Sequence, residues 1–228
     1  MNIIHHAWGA LALSTLAASV QAGSLQVTVL DKEGKPTPDA VVIVVPATKG
    51  TAKNPPPLQA TINQEKMQFS PAVTVVSPGA KLRFVNNDPW DHHVRMSVPG
   101  LPAAGASDGI ALRLEGKSEG KPAKSVEVAL DKPGGTSGAG PIGATLLGCH
   151  IHGSMSGHVY VADSPWTLKT GADGVATLED VPEGAATVKV WHSAQVVGMN
   201  PQTVSVGATP GKMTVQLDVV PRRRRAAS

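Results

Sequence analysis

Cysteine is almost missing from this sequence: its 228 residues include one, Cys149. A lone thiol excludes any internal disulfide, so no covalent cross-link holds the fold, and the thiol calls for an explanation of its own. Aromatic residues are scarce at 3%. Apolar repeats at helical spacing are also missing, and beyond the first two dozen residues no stretch reads as a helix of three turns. Excess basic charge is confined to one place. The formal net charge is +3, yet Arg222 to Arg225 alone carry +4, leaving about −1 for everything else. The body of the protein is therefore not basic, and no nucleic-acid partner is expected of it. The four arginines suit an anionic lipid, a nucleic acid or an acidic partner, or simply a solvated, frayed terminus.

What the chain does hold is turn-formers and β-branched residues. There are 24 glycines and 19 prolines, and 41% of residues are hydrophobic against 16% charged. That balance suits a foldable chain of short strands joined by turns. Leu25-Gln26-Val27-Thr28-Val29 alternates, as a half-buried strand does. Ala40 to Val45 is a continuous apolar run, which reads as a more buried strand, and the Asp31-Lys32-Glu33-Gly34 turn predicts a hairpin between the two. Pro55-Pro56-Pro57 then marks a linker. A second block follows, with strands at Ala60 to Ile62, Val73 to Val76, Leu82 to Val85 and Ser125 to Leu130. Residues 134 to 143 hold five glycines and predict a mobile loop. Thr145 to Cys149 and His158 to Val161 predict two strands around a tight, His-rich turn. In the third block, Asp173-Gly174 signals another hairpin, and Thr187 to Trp191 and Met213 to Leu217 alternate. Packed β-sandwiches are the expected architecture.

At the N-terminus, Ala7 to Val20 is apolar and uncharged, and Val20-Gln21-Ala22 resembles a cleavage site. Although no Lys or Arg precedes the run, these residues predict an export signal cut after Ala22, which makes the mature protein periplasmic. The run is too short for a comfortable membrane span, so no integral membrane segment is expected in the mature chain.

Cys149-His150-Ile151-His152-Gly153-Ser154-Met155 offers a thiolate, an imidazole and a thioether at relative positions 1, 4 and 7. Thiolate and thioether are soft donors that favour Cu(I), and imidazole also holds Cu(II), so a Cys, two His and a long axial Met suit a copper electron-transfer site. One loop cannot supply all four groups; the second imidazole must come from a distant strand, and His92 or His93 is the obvious source. Successive strand residues point to opposite faces, so one of that pair faces the metal, and His150 points away if Cys149 points in. The alternatives are a buried free cysteine among unrelated histidines, zinc on Cys and two His, and Met155 as packing. His158 and His192 read as a surface and a sandwich histidine, Met96 as core, and Trp90, Trp166 and Trp191 as core or interface.

These residues carry a resemblance. Phe69-Ser70-Pro71, Val73 to Val76, Pro78-Gly79, Phe84-Val85-Asn86-Asn87-Asp88 and His92-His93-Val94 resemble the first half of a plastocyanin-type cupredoxin, and the Cys-x-x-His-x-x-Met spacing is like that of amicyanin. The resemblance makes His92, six places after Asn86, the ligand. It sets His93 where the family often carries an Asn that ties the ligand loops together, and leaves His93 as a rival ligand. Leu147 to His152, Tyr160 to Pro165 and Val190-Trp191-His192 resemble the plastocyanin-like proteins labelled methylamine-utilisation proteins. Those combine a cupredoxin with a transthyretin-like or carboxypeptidase-regulatory-like sandwich, and Ala172-Asp173-Gly174 and Val181-Pro182-Glu183-Gly184 fit that second module. The likeness spans most of residues 24 to 220. Ser154 stands where these relatives carry an aromatic residue.

The resulting expectation is an all-β chain: a cupredoxin Greek-key sandwich (58–162) inserted into or joined to a second, immunoglobulin- or transthyretin-like sandwich (23–57 with 163–220), between a signal peptide (1–22) and a basic tail (221–228). The expected function is that of a non-enzymatic electron carrier with one mononuclear type 1 copper on His92, Cys149, His152 and Met155. The resemblance makes His152 the partly exposed edge for electron passage, with a transient redox protein as partner. Copper delivery or storage, and a metal-free interaction sandwich, are the rival functions.

Overall fold

The two first strands differ in a way that decides their places. In β1 (Ala22–Leu30) the buried residues Leu25, Val27 and Val29 alternate with half-exposed ones, the pattern of a strand with one wet face. In β2 (Val41–Pro46) Val41, Val42, Ile43 and Val44 are all buried, so both faces of its sheet must be covered. The two strands consequently enter different sheets, and the predicted hairpin between them does not form; one bridge, Leu30 to Pro36, marks the turn.

The computed structural model describes residues 22–97, 111–130 and 143–221, and is all-β, with sixteen strands and no helix among them. After β1 and β2 come β3 (Gln59–Glu65), β4 (Gln68–Ser70), β5 (Val73–Val76), β6 (Lys81–Asn86) and β7 (His92–Ser97). β8 (Ala111–Leu114), β9 (Lys124–Ala129), β10 (Gly143–Cys149) and β11 (Ser156–Val161) follow. The last are β12 (Trp166–Lys169), β13 (Val175–Pro182), β14 (Gly184–Trp191), β15 (Gln202–Val206) and β16 (Gly211–Gln216). The predicted signal segment to Gln21, the glycine-rich loop up to Ile142 and the four arginines lie outside the described residues.

The sheets stack in four layers. The outer sheet β13-β1-β16 packs on β12-β2-β14-β15 through Leu25, Val27, Val42, Val44, Leu178 and Val188. The other side of β2 turns Val41 and Ile43 onto Val73 of β5 and Tyr160 of β11, which brings in the sheet β5-β11-β10-β7-β8. Lys169 crosses this seam to the Val73 carbonyl at 3.2 Å. That sheet's far side packs on β4-β3-β6-β9 through Ile62, Phe69, Phe84, Met96, Leu147 and Val159. Phe69 and Phe84 are fully buried there, each contributing about 1.5–3 kcal/mol of transfer free energy.

Two further expectations change. Asp173-Gly174 does make a turn, but β12 pairs with β2 and β13 with β1, so the turn joins two sheets instead of a hairpin. Gly174 (φ +72°) is required there, since a Cβ would lie 2.7 Å from the Val29 carbonyl oxygen. Trp90 is 45% exposed and belongs to no core, whereas Trp166 is buried in the first core and Trp191 packs against Tyr160 in the seam.

Candidate metal centre

Strand period selects between the paired histidines. Along β7 the buried residues are His92, Val94 and Met96, with His93 half-buried on the other side. β10 runs antiparallel to β7, and Cys149 stands opposite Val94. Leu147 and Cys149 point inward while His150 is exposed, as alternation demands. After Cys149 the chain folds back in a short turn, closed by the Met155 N–H donating to the His152 carbonyl at 3.0 Å, and re-enters the sheet at β11. That turn lays His152 over Cys149.

The Cys149 Sγ is 3.5 Å from His152 Nδ1 and 3.8 Å from His92 Nδ1, and the two Nδ1 atoms are 3.1 Å apart. Donors bound to one ion at about 2.0–2.3 Å stand roughly 3.2–3.7 Å from each other; one of the three distances lies in that range and the other two just outside it, so small shifts would bring all three onto a shared metal. Among the described residues this trio is the one group of three such donors, all within 4.8 Å of one another. Met155 is 2% exposed and belongs to the same buried cluster as Cys149.

Backbone groups tie the two ligand-bearing segments together. The His93 N–H donates to Cys149 Sγ at 3.4 Å, and the His150 N–H donates to the His93 carbonyl at 2.9 Å. No side chain at position 93 is needed for either bond, so the two segments are joined whatever side chain stands there. Asn86, fully buried at the end of β6, donates its amide to the carbonyls of Trp90, Leu114 and Glu115 and so shapes the loop before β7. On that loop's rim the Asp91 carboxyl is held below the usual carboxylate range by the Gly116 N–H first and the Arg113 guanidinium second. Gly116 must be glycine here, since a Cβ would strike the Pro89 carbonyl.

One buried partner was not singled out from the sequence. Asp88, 4% exposed, accepts a hydrogen bond from His92 Nε2 at 2.8 Å. Its carboxylate also accepts the backbone N–H groups of Lys66 (2.6 Å) and Met67 (3.1 Å). The available signal was an acid four residues before a candidate ligand. His158 and His192 lie elsewhere: His158 stacks edge-on against Trp191, and His192 is buried at the end of β14.

No protein-family model and no curated protein matches the chain. Among solved structures it is similar to a pseudoazurin from Sinorhizobium meliloti, with 22% identity over 46% of this chain and 75% of that one, at a TM-score of 0.30. Amicyanin from Paracoccus versutus aligns over 55% of this chain and 99% of its own, with 16% identity and a TM-score of 0.32. A copper-containing nitrite reductase from Thermus scotoductus aligns over 59% of this chain but 28% of its own, with 19% identity and a TM-score of 0.33. No helix among the described residues is long and apolar enough to cross a membrane.

Proposed function

We propose that this chain is an exported electron carrier with one copper ion of the blue type. The observation that carries the reading is the convergence of Cys149 Sγ with the Nδ1 atoms of His92 and His152, brought from two strand ends. A thiolate and two imidazoles, with a thioether in the same buried cluster, is the donor chemistry of copper electron-transfer centres. His92, Cys149 and His152 would hold the ion, and Met155, buried in the same cluster, would offer a thioether beside them. Copper held there would supply a one-electron oxidation and reduction. The protein's own parts serve that exchange: the His93 N–H steadies the charge on sulfur, burial keeps His92 in place, and half-exposed His152 offers the edge toward a partner. Docking there is brief, since a carrier must release quickly. In this reading residues 58–162 form the copper sandwich, set between 23–57 and 163–220 of the other, and residues 1–22 are removed on export to the periplasm.

The test is addition of Cu(II) to the recovered full chain. An intense blue or green colour, lost in Cys149→Ser, supports the reading. Pale binding that survives Cys149→Ser supports copper delivery instead, a role that exposed His150 beside Cys149 would serve.

A further inference from the structure

We infer that Asp88 is a positioning residue for the metal centre, fixing the tautomer of His92 and strengthening it as a donor. The inference rests on the copper reading above. A carboxylate accepts hydrogen bonds and donates none. The 2.8 Å contact therefore requires the proton on His92 Nε2, which leaves a lone pair on Nδ1, the atom facing Cys149 and His152. The ring is 0% exposed, so bulk solvent does not reach it to take the carboxylate's place.

Asp88 is itself held from behind. Lys66 and Met67, in the turn between β3 and β4, have φ of 51° and 60°, a left-handed geometry unfavourable for both side chains. Successive N–H groups in such a turn make an anion cradle, and both point at Asp88, to Oδ1 at 2.6 Å and to Oδ2 at 3.1 Å. The Asp88 N–H donates to Asn86 Oδ1 at 3.0 Å. A carboxylate fixed at both ends and hydrogen-bonded to the outer nitrogen of a ligating imidazole raises the basicity of the inner one. Basic nitrogen donors favour Cu(II) over Cu(I), so Asp88 lowers the potential of the centre.

The experiment compares the wild-type chain with Asp88→Asn and Asp88→Glu in three measurements. In the metal-free wild type, nitrogen-detected NMR is expected to show His92 as the Nε2–H tautomer; an Nδ1–H tautomer overturns the inference even if no variant folds. Zn(II) affinity is expected to fall about 10–100-fold in Asp88→Asn, the range for outer-shell partners, with partial recovery in Asp88→Glu. For the copper form, a tenfold loss of preference for Cu(II) raises the potential by about 59 mV. A folded Asp88→Asn with unchanged Zn(II) affinity and potential reduces Asp88 to an anchor for the 66–67 turn and overturns the proposal. If the wild type develops no thiolate–copper colour, the electron-carrier reading fails, while the tautomer and Zn(II) measurements still decide the role of Asp88.

Discussion

The Nδ1 atoms of His92 and His152 stand 3.1 Å apart, although the residues are 60 positions apart in the chain. Two lone pairs that close repel, so the arrangement is stable only with a proton or a cation between the rings. His92→Ala and His152→Ala are each expected to weaken copper binding by more than the roughly 10–100-fold typical of an outer partner. His93→Asn should leave affinity and colour unchanged, because position 93 contributes through its backbone. Isothermal titration and optical spectra check both expectations.

Met155→Leu keeps volume in the core, so its stability cost should be under about 1.5 kcal/mol by chemical denaturation. Loss of an axial thioether removes a donor that Cu(II) needs more than Cu(I), so the potential should rise. Voltammetry giving an unchanged potential would return Met155 to simple packing.

Tyr160 is the chain's one tyrosine, so its titration can be read without overlap. Burial in the seam first, and the charge of Asp163 second, push its hydroxyl up to about 12. Tyrosinate absorbance in the folded protein should therefore appear well above the ordinary value of about 10. Appearance at the ordinary value would mean that the seam is open in solution.

His192 makes the sandwich built on β2 and β14 acid-sensitive. Its burial lowers the ring's pKa, partly offset by Asp39 and by a hydrogen bond to the Pro38 carbonyl. The folded state thus binds its proton less readily than the unfolded chain. Stability should fall as pH drops below the ordinary histidine value of about 6.5 and level off below the depressed folded value. His192→Gln should flatten that slope in urea unfolding followed across this window.

Much of this architecture was legible in local pattern. The continuous apolar run from Ala40 to Val45 announced a more deeply buried strand, and the two-residue strand period implied that one of His92 and His93 turns inward, while only the family resemblance pointed to His92. Two turns misled. Asp31 to Gly34 and Asp173-Gly174 have hairpin chemistry, but the strands on either side go to separate layers. Turn residues report a local reversal of the chain, whereas pairing is decided by which faces must be covered. Asp88 was overlooked because an acid beside a turn reads as a turn residue. Its value lies in contacts to Lys66 and Met67, about 20 residues upstream, which no spacing rule connects.

The stack has a practical consequence for anyone wishing to isolate residues 58–162, the part proposed to bind copper. Excising residues 58–162 would strip Val73, Val75 and Tyr160 of the cover that Val41 and Ile43 give them. The fragment would carry an oily flank on the side away from the Cys149 cluster, and such flanks find each other. Oligomers or precipitate in that preparation would report on where the cut was made rather than on how the whole molecule behaves.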